Sequence, residues 1–262
     1  MKKTGMSITN SHRENYSIER QIELFARVGF DSFFLSCGVT DNFERIPYWA
    51  NISKDNGIIF EAVHSPTEGV NNMWLEGHSA DNYISRTKNI IDMCALGNVD
   101  KLILHTAYGN APEVSEIGLE RFLNLEEYAQ KANVHLCYEN ADIVTHLLAI
   151  LEHSGDYHGF CFDNGHHFCY TPDIPLLDIV GDKLIYTHLH DNLGFDNGKD
   201  LHLLPFDGKI NWENISIMLE KIHYQGTYNL ELSCNGKARY NEMSYKCFVE
   251  EAYNRIQDII KL

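Results

Sequence analysis

Val134-His-Leu-Cys-Tyr-Glu139 and Gly159-Phe-Cys-Phe-Asp163 are short apolar runs, and the segment between them carries Ile143, Leu147 and Ile150 at helical spacing. Aromatic, aliphatic and β-branched runs of five or six residues suit strands buried on both faces, and the i, i+4, i+7 spacing lays one apolar stripe along a helix. A helix between two such strands returns the chain to the same end of the sheet, so the strands run parallel.

The same unit can be counted eight times. Strands are expected near residues 3–9, 31–36, 58–64, 101–106, 134–139, 159–163, 184–190 and 227–232. Helical stripes are carried by Ile18, Ile22 and Phe25, by Trp212, Ile215, Leu219 and Ile222, and by Tyr245, Phe248, Ala252 and Ile259. Glycines at 29, 57, 97, 155, 181 and 226 stand where helices must stop. Eight strand–helix units without a run of hairpins predict an α/β protein with a single (β/α)8 barrel over 1–262, a fold that typically needs about 250 residues. The segments 65–77 and 192–209 have the least regular pattern, and both follow a strand, which puts them at the catalytic face of a barrel.

Composition narrows the function. The first nine residues are too polar for a signal-peptide core, and no stretch approaches the length of a membrane span, so a cytoplasmic protein is expected. Seven cysteines without a Cys-x-x-Cys pair fit reduced thiols, with Cys137 and Cys161 as small core residues. A formal charge of −16 disfavours a nucleic-acid partner, and three divalent ions would reduce it only to about −10. The segment 63–77 holds Glu68 and Glu76 and no Lys or Arg, and 191–200 holds Lys199 against three aspartates. Phosphate-backbone affinity comes from cations, so these segments grip DNA poorly.

The strand ends carry the chemistry. The third ends on His64, the fourth on His105, the fifth on Glu139-Asn140, and the sixth on Asp163-Asn-Gly-His166. The seventh ends on His188-Leu-His190-Asp191 and the eighth on Glu231, while Asp200-Leu-His202 follows the seventh. Residues i and i+2 of an extended segment share a side, which pairs Asp200 with His202. Taken singly, His64 or His105 reads as a satisfied core histidine, Glu139 or Glu231 as a salt-bridge partner, and Asp163 as a helix N-cap. Six consecutive strands ending this way are better explained by cations that compensate the desolvation of the side chains. Imidazole and carboxylate together suit zinc, manganese, cobalt or iron. His12, His78, His135, His146, His153, His158, His167 and His223 show no such convergence and read as surface or packing residues.

These residues resemble the xylose-isomerase-like barrel superfamily, which includes sugar-phosphate isomerases and epimerases and the endonuclease IV type of repair enzyme. The resemblance runs from the first strand to Glu231, through Tyr138-Glu139-Asn140, Asp163-Asn-Gly-His166, His188-Leu-His190-Asp191, and Asp200-Leu-His202 with Gly208-Lys-Ile-Asn-Trp212. Its epimerase branch implies one ion held by Glu139, Asp163, His188 and Glu231, with Glu139 and Glu231 as acid and base and His166 on a substrate oxygen. Its endonuclease branch implies three zinc ions held by His64, His105, Glu139, Asp163, His166, His188, Asp200, His202 and Glu231. All nine positions are filled here.

The expected function is a metal-dependent sugar or sugar-phosphate isomerase or epimerase acting on a small carbohydrate. A related dehydratase, a zinc-cluster hydrolase and a non-catalytic sugar-binding barrel are the alternatives. Five ligands beyond the four-residue set would repel or stay unsatisfied without further cations, so two or three ions, zinc or manganese, are expected.

Overall fold

The structure, a computed structural model, describes residues 2–10, 16–195 and 200–262. Eight parallel strands form one sheet: β1 (Thr4–Ile8), β2 (Ser32–Leu35), β3 (Ile59–His64), β4 (Lys101–His105), β5 (His135–Glu139), β6 (Gly159–Asp163), β7 (Leu184–His188) and β8 (Tyr228–Leu230). From β1 to β7 each strand pairs with its sequence neighbours, and β8 pairs with β1. The β7–β8 seam closes more loosely. Leu189 N–H donates to Asn229 O at 2.8 Å, Glu231 N–H donates to Leu189 O at 3.1 Å, and the Thr187 hydroxyl donates to Thr227 O. The fold is therefore a nearly closed (β/α)8 barrel, as the periodicity predicts.

The helices lie between the strands: α1 (Ile18–Val28), α2 (Ile46–Asp55), α3 (Asp81–Gly97), α4 (Glu116–Lys131), α5 (Thr145–His153), α6 (Asn164–Tyr170), α7 (Leu176–Val180), α8 (Trp212–Lys221) and α9 (Tyr245–Lys261). Ser17, Ser115, Asp163, Asn211 and Ser244 cap α1, α4, α6, α8 and α9 by accepting a backbone N–H in the first turn. Gly29 and Gly57 take the left-handed conformation that stops a chain after α1 and α2. Gly97 does not. It stays inside α3 against Ile46 and Ala50, where a Cβ would crowd them, and Asn98 makes the left-handed stop instead.

Strand alternation sorts the core into two layers. Phe33, Leu102, Leu136, Tyr138, Phe160 and Phe162 face the helices and join the large outer core. Phe34, Ala62, Ile103, Cys137, Cys161 and Tyr186 fill the barrel interior. Both cysteines expected in the core are buried there. Two residues beyond each interior side chain, the same strand again faces inward. Those positions are Ser36, His64, His105, Glu139, Asp163 and His188.

Candidate metal centre

The inward layer at the strand ends thus stacks polar groups directly above an apolar plug. Strand register sets them side by side, His105 opposite Glu139 and Asp163 opposite His188. Glu139 is the hub. Its Oε2 lies 2.9 Å from both His64 Nε2 and His105 Nε2, and its Oε1 lies 2.7 Å from His188 Nδ1. The same His188 nitrogen is 3.3 Å from Glu231 Oε2 and 3.9 Å from Asp163 Oδ2. Above them, Asp200 Oδ2 lies 2.9 Å from His166 Nε2 and 2.7 Å from His202 Nε2.

Among the described residues, three groups made of His, Asp and Glu alone have donor atoms close enough to share an ion: His64, His105 and Glu139; Glu139, Asp163, His188 and Glu231; and His166, Asp200 and His202. All nine residues singled out in the sequence belong to at least one. Cys161 also falls near Glu139 and His188, but burial raises its thiol well above the ordinary range and leaves it a poor thiolate. The other sets fit a divalent cation in chemistry, and the buried His188 Nε2 has no hydrogen-bond partner among the described residues.

Asp163 does two things at once. Its Oδ1 caps α6 by accepting the His166 N–H at 2.6 Å, while Oδ2 faces His166 Nδ1 at 3.7 Å. The helix-cap and ligand readings of this residue are compatible because a carboxylate has two oxygens. Asn140 fixes it further, accepting the Asp163 N–H at 2.9 Å and donating to the Asp163 carbonyl at 2.8 Å.

Burial opposes ionisation throughout the cluster, and mutual pairing overcomes it. His188 and His105 hold the Glu139 carboxyl well below its ordinary range, and His188 and His202 do the same, less strongly, for Glu231. Burial likewise disfavours charged His202, yet Asp200 pushes it up to about 10. His166 is raised well above its usual value by Asp163 and Asp200 against the same penalty. Without a metal, protons take the place of cations in balancing the carboxylates.

The Asp200–His202 pair forms differently from the extended geometry expected. His202 has φ of +45°, so a left-handed turn, not strand alternation, brings the two side chains together. Asp191 turns out of the cluster and accepts from the Trp212 indole N–H at 3.0 Å and the Ile210 N–H at 3.1 Å. Gly208 is packed on it so closely that a Cβ would overlap its Oδ1. His12, Asp196 and Lys199 lie outside the described residues.

Several site residues escaped the sequence reading. The Ser36 hydroxyl donates to Glu231 Oε1 at 3.1 Å, and Thr9, Cys37, Thr67 and Ser233 line the cavity over the cluster. This cavity has a volume of about 340 Å³, and Glu231, His64, His105, His166 and His202 reach its wall. Among the described residues, no Lys or Arg lines it. Ser36 was legible in principle, since it follows Phe34 by two residues as His64 follows Ala62.

Comparison with known proteins agrees with this architecture. The Clostridium cellulolyticum D-psicose 3-epimerase, crystallised with D-tagatose, superposes with a TM-score of 0.79 at 16% identity, covering 99% of this chain and 98% of that one. The IolI protein with a bound zinc atom superposes with a TM-score of 0.80 at 15% identity, covering 98% of each chain. At these identities the likeness shows the fold. The Sinorhizobium fredii protein y4fM is 32% identical over 160 residues, which are 55% of this chain, and the chain spans half the length of that relative. The profile of the xylose isomerase-like TIM barrel family matches residues 22–246, and the chain belongs to that family.

Proposed function

We propose that the protein is a metal-dependent isomerase or epimerase of a small carbohydrate, with Glu139 and Glu231 handling the proton on carbon. The carrying observation is that these two carboxylates, from β5 and the end of β8, approach one imidazole nitrogen of His188, and that Glu231 also lines the cavity over the cluster. Glu139, Asp163, His188 and Glu231 would hold the ion. When bound, it would supply Lewis-acid polarisation of a carbonyl and its neighbouring hydroxyl.

Glu231 reaches the cavity wall, with Ser36 donating to its Oε1 and His188 Nδ1 3.3 Å from its Oε2, so its carboxylate is placed to take or return a proton. His166 and His202 line the same cavity, so an ion held by them and Asp200 would face the substrate. Thr9, Ser36, Thr67 and Ser233 add hydroxyls suited to a polyhydroxy ligand, and a cavity of about 340 Å³ suits a small sugar. The epimerase among the structural neighbours supports this reading.

A second reading draws on one specific observation. Both oxygens of Glu139 are engaged, one by His64 and His105 and the other by His188. A carboxylate shared between two ligand groups suits a cluster that activates water for hydrolysis, including that of a phosphate ester.

A panel of ketoses, with and without phosphate, incubated in deuterated water with manganese or zinc separates the two. Deuterium entering carbon-bound positions supports isomerisation or epimerisation. No exchange with any ketose, together with hydrolysis of an ester, overturns it.

A further inference from the structure

His190 belongs to none of the three candidate ligand groups, yet it is fully buried between two of them. Its Nε2 lies 3.0 Å from Asp163 Oδ1 and 3.2 Å from Oδ2. Its Nδ1 faces Asp200 Oδ1 at 3.8 Å and makes no hydrogen bond among the described residues. The ring stacks on His202 with centroids 4.1 Å apart and planes 21° from parallel.

The surrounding chain holds this ring in place. The His190 N–H donates to Asn164 Oδ1 at 2.9 Å, and a Cβ on Gly165 would stand 1.9 Å from His190 Cε1. Only a glycine in the first turn of α6 leaves room for the imidazole. A buried polar ring with that accommodation has a task beyond filling space.

We propose that His190 is a positioning residue that joins two ion positions, one at the carboxylate of Asp163 and one at the His166–Asp200–His202 group. An Nε2–H donated to Asp163 orients that carboxylate, and the ring face fixes the imidazole of His202. Outer hydrogen bonds of this kind typically set metal affinity by about 10- to 100-fold. Among the described residues His64, His105 and Glu139 make no hydrogen bond or ion pair with His190, so an ion at His64 and His105 feels its loss least, through the shared Glu139.

The inference rests on the cluster binding divalent cations, and one experiment separates the two. Ion-free wild-type protein, His190→Leu, His190→Asn and His190→Gln are titrated with Mn²⁺ by calorimetry, and anomalous diffraction from partly loaded crystals assigns each ion to its residues. No binding by the wild type would sink the metal reading itself, and the role of His190 with it. If the wild type binds, His190→Leu is expected to weaken the ions at Asp163 and Asp200 by about 10- to 100-fold and to affect the ion at His64 and His105 least. Gln, whose amide reaches as far as Nε2, recovers most of the affinity at Asp163. Asn, polar but too short, gives the loss even if the Leu variant fails to fold. Wild-type affinity in the Leu or Asn variant, equal weakening of all ions, or Gln no better than Asn overturns the proposal.

Discussion

His105 Nε2 lies 2.9 Å from Glu139 Oε2, across adjacent strands whose register sets the two residues opposite one another. Glu139 is therefore held from the side of β4 as well as by His188, and it cannot be exchanged without disturbing the centre. Glu139→Gln and Glu231→Gln are each expected to lower turnover by at least about 10²- to 10⁴-fold, the range of general acid–base catalysis. Circular dichroism should report an intact barrel, since the plug of Phe34, Ala62, Ile103 and Tyr186 lies below them. Retained turnover in either variant removes the two-glutamate mechanism.

Ion binding should release protons. Asp200 pushes His202 up to about 10 against the burial penalty, so the ring is protonated at neutral pH in the ion-free protein. Its folded value lies above the unfolded one, near 6.5. The stability it contributes is complete below about pH 6.5 and disappears as pH rises through about 10. A metal must displace that proton, so affinity should climb with pH across the neutral range. Calorimetry in buffers of different ionisation enthalpy reads the released protons directly; zero release at pH 7 contradicts this picture.

Asp207 fastens the chain that carries Asp200 and His202. It accepts from the Tyr240 hydroxyl at 2.5 Å, from Arg255 at 2.9 Å and from Arg239. Although burial works the other way, these donors hold its carboxyl down at about 2. A depressed carboxylate adds stability that is complete above about pH 4 and is lost as pH falls through about 2. After allowance for solvent screening this is about 1 kcal/mol. Asp207→Asn should lower the denaturation free energy by about that much at pH 7, and the gap from wild type should narrow as pH falls from 4 toward 2. A gap independent of pH would contradict the assignment.

The protein should neither bind nor nick abasic duplex DNA at physiological salt. Its formal charge is −16, and no Lys or Arg among the described residues lines the cavity over the cluster. Phosphate contacts come from such cations. Efficient nicking by purified, metal-loaded protein would overturn this expectation.

Much of the fold was legible because its signals are local and repeated. The unbroken apolar run Leu102-Ile103-Leu104 marks a strand buried on both faces, and the stripe from Ile143 to Ile150 marks a helix with one face toward a core. The nine candidate ligands were legible because acidic and imidazole side chains at apolar strand ends are costly and so conspicuous. What escaped depends on three-dimensional detail. Asn140 and Ser36 are ordinary polar residues whose roles appear only when Asp163 and Glu231 stand beside them. The left-handed turn at His202 has no glycine to mark it, and Gly165 is explained only by a ring that arrives from another strand.

The nine residues at the strand ends are expected to hold a cluster of divalent ions. Anomalous diffraction from crystals of protein purified without chelator, read together with metal equivalents per chain in solution, tests this most directly. More than one equivalent of zinc or manganese is expected, with one ion on Glu139, Asp163, His188 and Glu231 and another on His166, Asp200 and His202. A single ion, with Asp200 and His202 turned away from it, would contradict the cluster and leave a mononuclear centre.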